Sequence, residues 1–114
     1  MSYDLAVWQG ERPADDAAAD RTFSDLYERY VGSGATVAPT EEIRAYVRAL
    51  VDRYPDTDED APWATGPLIG EACGPLLYFP MVWSRCEEVS AWAAQLAARH
   101  GLVCWDPQLQ RQRP

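Results

Sequence analysis

The sequence contains no lysine and no asparagine, and all ten of its basic residues are arginine. This bias is typical of a GC-rich genome, such as those of actinobacteria, and needs no functional cause. Histidine occurs once, at His100, which excludes a metal site built from histidines alone. The three cysteines form no CxxC pair. We therefore expect no metal ion and no cofactor.

Long apolar runs are missing as well. No stretch approaches the roughly 18 consecutive apolar residues that a membrane-spanning helix needs, so we expect no membrane contact. The opening residues 1–4 lack the basic and apolar segments of a secretory signal. We expect a cytoplasmic protein in which Cys73, Cys86 and Cys104 stay reduced and mostly buried.

The formal net charge of −8 restricts the class of partner. Phosphates repel an acidic protein, so we expect no nucleic-acid ligand. A basic protein partner would be attracted, and its association would be accelerated in a salt-dependent way. The alternative interpretation is that the acidity only keeps the chain soluble.

The strongest structural pattern lies between residues 76 and 105. Residues 76–83 carry no charge and predict a central strand, with Pro80 at a bulge or where no partner needs its missing N–H. Ser84 and Glu87 have capping-box spacing and predict a helix over 85–100 that Gly101 ends. A second strand is predicted over 102–105.

The rest of the chain predicts a small α+β protein. Alternation over residues 3–8 indicates a strand, helical spacing indicates one helix from residue 17 and another after Thr40, and 68–72 is a modest strand. The order β-α-α-β-β-α-β predicts a ferredoxin-like split βαβ fold. We expect a four-stranded mixed sheet, its first and third strands parallel and its helices on one face. Residues 1–106 would form one domain and 107–114 a polar tail, which we expect to be frayed over 110–114.

The other sheet face would be solvated, covered by residues 55–67, or used in a homodimer. No catalytic constellation is recognisable. Asp56, Asp58 and Asp60 match the start of an EF-hand loop, but Ala61 and Pro67 replace its glycine and its final glutamate. An acidic solvated loop is the simpler interpretation.

Aromatic residues are abundant, with five tryptophans and six tyrosines. Tryptophan anchors protein interfaces because it buries a large area and keeps a polar handle. The competing interpretation is that these rings fill a core poor in phenylalanine. If they form a partner surface rimmed by carboxylates, the predicted contacts are Trp8, Asp56, Asp58, Asp60, Trp63, Trp83 and Trp105.

Both ends of the chain resemble those of a group of small bacterial proteins. Residues 2–8 read Ser-Tyr-Asp-Leu-Ala-Val-Trp, and residues 102–108 read Leu-Val-Cys-Trp-Asp-Pro-Gln. That group carries a Tyr-Asp-Leu-x-x-Trp opening and an aromatic-Asp-Pro-Gln close, and several members are similar to immunity proteins of toxin systems. The resemblance implies a sheet with paired terminal strands and transfers no active site.

Three functions follow as hypotheses. The first is a protein-binding module that blocks a basic partner or toxin, as an immunity protein or antitoxin does. The second is a ferredoxin-like small-ligand protein or dimeric enzyme. The third is a structural domain without a separable site. The ligand pocket of the second hypothesis would be lined by Trp63 and Trp83, with Glu71, Tyr78, Arg85 and His100.

Overall fold

The computed structural model describes residues 2–114, which form an α+β fold with three α-helices and one five-stranded sheet. The helices are α1 (Asp16–Tyr27), α2 (Glu41–Arg53) and α3 (Cys86–Arg99). The strands are β1 (Ser2–Trp8), β2 (Ala72–Cys73), β3 (Leu76–Val82), β4 (Val103–Asp106) and β5 (Arg111–Arg113). A π-helical turn over Glu28–Gly32 extends α1. Two 3-10 turns occupy Leu68–Glu71 and Trp83–Arg85.

Side-chain caps start the first two helices. The Asp15 carboxylate accepts from the Ala18 N–H at 2.8 Å, and the Thr40 hydroxyl accepts from the Ile43 N–H at 3.3 Å. The capping box predicted at Ser84 does not form. Ser84 lies inside the 3-10 turn that precedes α3, and the first turn of α3 has no side-chain cap.

The strand order is β2-β3-β1-β4-β5, and every neighbouring pair is antiparallel. The predicted parallel pairing of β1 with the strand over 76–83 is wrong, since Ser2 pairs with Val82 and Trp8 with Leu76. The helical crossover returns the chain to β2 in the direction of β1, and the tight turn at Gly74 then reverses it into β3. The sheet is antiparallel with five strands, not mixed with four.

The predicted polar tail contains the fifth strand. Arg111 pairs with Asp106 and Arg113 with Cys104, so the prediction that this segment frays is wrong. The outer edge of β5 is also satisfied. The Gln112 N–H donates to the Asp16 carboxylate at 3.0 Å. This hydrogen bond to the first residue of α1 therefore occupies part of the outer edge of β5, which could otherwise pair with a strand of another chain.

Helices cover both faces of the sheet. Leu5, Val7 and Phe79 pack with α2 and α3 in the larger core. The opposite face carries Trp8 and Trp105, which are covered by α1 through Ala19 and packed with Phe23 and Leu26. The prediction that all helices share one face is wrong, since α1 covers the second face. The physical reason is that residues 5–8 are apolar without interruption, so β1 has apolar side chains on both faces to bury. Such a run is typical of a strand buried on both sides.

Pro80 lies in β3 without a bulge. Its partner Asp4 donates its backbone N–H to the Gln108 side chain at 2.6 Å, on the side away from β3. Asp4 and Pro80 are therefore a non-hydrogen-bonded pair, which needs no proline N–H. The Pro80 carbonyl accepts from the Ala64 N–H at 3.0 Å, so the segment around Trp63 covers this edge of β3. Within residues 2–114, no helix is long and apolar enough to cross a membrane.

Truncating the chain after Leu109 should destabilise it, because the truncation removes β5 and the Arg113 ion pair with Asp106. We expect a loss of about 2 kcal/mol and a thermal midpoint lower by roughly 8 °C, measured by circular dichroism. Full-length Arg111→Ala keeps the β5 backbone and should stay within about 2 °C of the parent. An unchanged midpoint in the truncated chain would mean that β5 contributes nothing.

Candidate functional site

Trp83 is the largest exposed aromatic side chain of the described residues, with 52% of its surface accessible. It follows β3 directly, and the pairing of Tyr3 with Met81 places it beside the start of β1. The Tyr3 and Trp83 rings lie 5.8 Å apart between centroids, tilted by 52°. Tyr3 is half-buried against the larger core, so it gives the exposed indole a fixed support.

Acidic residues lie in the two chain segments that adjoin the turn carrying this indole. The backbone carbonyl of Asp60 accepts from the Arg85 guanidinium at 2.9 Å, and the Val82 N–H donates to Pro62 at 2.7 Å. These two bonds hold the acidic loop against the turn that carries Trp83. Arg85 also forms an ion pair with Glu88 at 3.2 Å. The exposed carboxylates of this region belong to Asp58, Glu59, Asp60, Glu87 and Glu88.

A cavity of about 330 Å³ is lined in part by Tyr3. Its wall includes Cys86 and Glu87 from α3 and Leu109 from the C-terminal segment. Leu109 is 49% exposed although it is apolar. We call Trp83, Tyr3, Leu109 and the five carboxylates named above the Trp83 surface.

Beneath the Trp83 surface lies the Asp106 network, formed by Asp106, Tyr3, Gln108, Leu109 and Arg113. Asp106 is fully buried. Its Oδ2 accepts from the Tyr3 hydroxyl and from Arg113 Nη1 at 3.0 Å. Its Oδ1 accepts from the backbone N–H groups of Gln108 and Leu109, both at 3.1 Å, and from Gln108 Nε2 at 2.9 Å. The carboxylate is thus fully hydrogen-bonded within the chain.

These hydrogen bonds set the ionisation of the Asp106 carboxyl group and of the Tyr3 phenol. Burial raises the pKa of Asp106, but the hydrogen bonds from Tyr3, Leu109, Gln108 and Arg113 outweigh it and hold the pKa below its ordinary 3.8. Burial, followed by the hydrogen bond to Asp106, raises the pKa of Tyr3 to about 12. At neutral pH the network therefore pairs an ionised carboxylate with a neutral phenol. It joins strands and offers no free base.

The other predicted partner contacts are not on this surface. Trp8 and Trp105 are each only 1% exposed, under α1, so their prediction as surface residues is wrong. Trp63 is 6% exposed, and its Nε1 donates to the Tyr54 carbonyl at 2.9 Å. The half-buried Asp56 accepts from the Leu68 N–H at 2.9 Å and shapes its loop. Of the predicted set, Trp83, Asp58 and Asp60 remain exposed together.

The predicted ligand pocket is divided between three places. Glu71 and Tyr78 line one cavity of about 270 Å³. Arg85 lies over the Tyr54 ring, 5.2 Å from its centroid. His100 lies at the end of α3, with its ring 5.8 Å from that of Tyr46. These four polar residues therefore do not converge on one ligand.

Sequence reasoning missed Asp106, Arg113 and Leu109. The signal for Asp106 was the Asp-Pro-Gln that begins at the last residue of β4, because an aspartate accepts readily from N–H groups two and three residues later. The partner of that motif was the Tyr-Asp pair at residues 3 and 4. Gln108 Nε2 donates to the Asp4 carbonyl at 2.7 Å, so the two terminal motifs bind each other.

Acrylamide quenching should identify Trp83 as the main accessible indole. Trp83→Phe is expected to remove most of the quenchable fluorescence, because Trp8, Trp63 and Trp105 are buried and Trp92 is only partly exposed, packed against Tyr54. The matched control Trp8→Phe should leave the quenchable emission unchanged while lowering total emission, so the accessible fraction should rise. Equal loss of quenching in both variants would contradict the burial described here.

Asp106→Asn should lower the unfolding free energy at pH 7 by about 2–3 kcal/mol, because it leaves Arg113 without its charged partner. The folded pKa of Asp106 is lowered, so its contribution is present above the ordinary carboxyl pKa of 3.8 and is lost as pH falls through the lowered value. The difference between the two proteins should shrink toward pH 2.5 in urea unfolding. Asp58→Asn is the exposed control, and a difference independent of pH would argue against this role.

Comparison with known proteins finds no matching family model, no similar curated protein and no similar solved structure. The Trp83 surface is therefore characterised by its own geometry alone.

Proposed function

We propose that this chain is a protein-binding module that recognises a basic partner through the Trp83 surface. The observation that carries the proposal is an indole that is 52% exposed and held 5.8 Å from the Tyr3 ring. Exposed carboxylates lie in the loop and the helix turn that adjoin its own turn. Tryptophan is enriched among the few residues that dominate interface energies. An indole supported in one position also loses little conformational freedom on binding.

The charge of the surface supports a basic partner. Of the five exposed carboxylates in the acidic loop and the first turn of α3, Glu88 is paired with Arg85 and the other four form no ion pair among the described residues. Arg111 and Arg113 line the cavity beside Tyr3, so the excess of negative charge lies on the side of the acidic loop. The net charge of −8 adds a long-range field of the same sign. Such a field accelerates encounter with a basic protein and does so less at high salt.

The most specific form of this function is an immunity protein or an antitoxin-like inhibitor in the cytoplasm. The resemblance of the terminal motifs to immunity-protein-like bacterial proteins supports it. The hydrogen-bonding groups of the Asp106 network are used within the chain, so recognition in this proposal is left to Trp83 and its carboxylates.

A ferredoxin-like protein that binds a small ligand is the second candidate. Two observations favour it. A cavity of about 270 Å³ contains Glu71 and Tyr78. The second observation is the order of the strands. The strands β1 and β2 are parallel to each other, and β3 lies between them. The strands β3 and β4 are also parallel to each other, with β1 between them, and a split βαβ arrangement requires both of these relations. In this proposal α1 and β5 are additions to the core, and a homodimer would use the half-buried strand positions around Asp4 and Pro80 on the α1 face.

Binding to basic proteins encoded by neighbouring genes tests the first proposal. Trp83→Ala is expected to weaken binding at least tenfold in calorimetry, because it truncates the central contact. The matched control is Ile69→Ala, which shortens another exposed apolar side chain next to α2 and should bind normally. Failure of every candidate at micromolar concentration, or unchanged binding by Trp83→Ala, would overturn the proposal.

The double variant Asp58→Asn, Asp60→Asn tests the electrostatic part. We expect a several-fold lower association rate and a weaker salt dependence, with a smaller effect on dissociation. Asp25→Asn with Glu28→Gln removes two exposed charges from the α1 region and serves as the charge-matched control. Equal effects of both pairs would indicate that only net charge matters and not the Trp83 surface.

A further inference from the structure

The cavity beside Glu71 differs chemically from the Trp83 surface. It lies where the turn after α1, the loop at residues 35–37 and the turn before β3 meet, and it encloses about 270 Å³. This volume is at the lower limit of ligand pockets and suits a single side chain or a small amine better than a larger metabolite.

The walls of this cavity are held in place by the chain itself. Gly74 has a φ of +54°, and a Cβ added there would lie 2.9 Å from the Tyr30 ring, so that ring rests directly on the Gly74 backbone. The Gly74 N–H donates to the Val37 carbonyl at 3.0 Å, and the Cys73 thiol contacts the Ala35 carbonyl at 3.4 Å. The cavity is therefore preformed.

Glu71 is the only carboxylate on the cavity wall, and no arginine lines it within residues 2–114. The Glu71 Oε1 accepts from the Thr65 hydroxyl at 3.0 Å, and no ion pair of the described chain involves this carboxylate. It keeps free acceptor positions at the edge of a half-buried site. Such a group favours a cation that can also donate hydrogen bonds.

Most of the other side chains that line the cavity are aromatic or aliphatic, and they suit a cation that carries an apolar stem. Tyr78 donates its hydroxyl to Asp4 at 3.0 Å, so that proton is already committed. The aromatic rings of Tyr30 and Tyr78 attract positive charge, and Arg29, which lies outside the cavity, already lies 5.9 Å from the Tyr30 centroid. Val31 and Val37 are exposed apolar side chains at the rim, where an aliphatic stem could pack.

We propose that this cavity binds a guanidinium group carried on an aliphatic stem, as in an arginine side chain. The head pairs with the Glu71 carboxylate and lies near the tyrosine rings, while the stem contacts the two valines. The site does not depend on the Trp83 surface, so each proposal can fail without the other.

Titration with N-acetylarginine methylamide, followed by amide NMR shifts, tests the inference. Saturable shifts are expected at residues 30–37 and 70–73, and the neutral isostere N-acetylcitrulline methylamide should bind at least about tenfold more weakly. Agmatine and free arginine distinguish the source of the group. Agmatine should bind similarly, whereas the carboxylate of free arginine should weaken binding beside Glu71.

Glu71→Gln is the decisive variant, since it keeps the shape and the Thr65 contact but removes the charge. It should lose at least about tenfold in affinity for the arginine analogue with an unchanged thermal midpoint. Glu59→Gln, on the exposed acidic loop, should bind as the parent does. Equal binding of the arginine and citrulline analogues, no saturable shift, or full affinity in Glu71→Gln would each overturn the inference.

Discussion

The hydrogen bonds to the buried carboxylate of Asp106 connect the strands on one side of the sheet, and the arrangement of those strands depends on them. This carboxylate receives hydrogen bonds from Tyr3 in β1, from Arg113 in β5 and from the turn that joins β4 to β5. A buried charge is costly unless it is paired and hydrogen-bonded, and here both conditions are met inside the chain. Three neighbouring strands are thereby fixed around a single ionised group, and the Tyr3 ring that supports Trp83 is fixed with them.

The position of β1 at the centre of the sheet explains the distribution of aromatic residues. A strand paired on both edges and covered by helices on both faces buries side chains of both orientations, so Leu5, Ala6, Val7 and Trp8 are all inaccessible. Many of the aromatic side chains, among them Trp8, Trp105 and Tyr46, are buried in this way in the two hydrophobic cores. Trp83 is different because it lies beyond the end of β3, where no helix covers it.

The local parts of this arrangement could be predicted from the sequence. The helix over residues 41–53 follows from a threonine cap and a regular apolar stripe, and the helix ending before Gly101 follows from its stop signal. The direction of β3 and the side of the sheet that α1 covers depend on contacts between distant residues, which periodicity does not encode. Trp8, Trp105 and Trp83 are the same residue type, and only tertiary packing separates the buried rings from the exposed one. The Asp106 network was hidden for the same reason, since Tyr3 and Asp106 are 103 positions apart.

Such distant pairing also constrains how the chain can acquire its structure during synthesis. The residues of β1 leave the ribosome before their partners, because Tyr78, which bonds to Asp4, follows 74 positions later and Asp106 follows 103 positions after Tyr3. Contacts between residues far apart in sequence form slowly, because closing the long loop between them costs conformational entropy before the contact contributes any stabilising free energy. The apolar segment 5–8 therefore stays without its strand partners until β3 and β4 have been translated, and nascent chains that stall before then would expose it to aggregation or to chaperones.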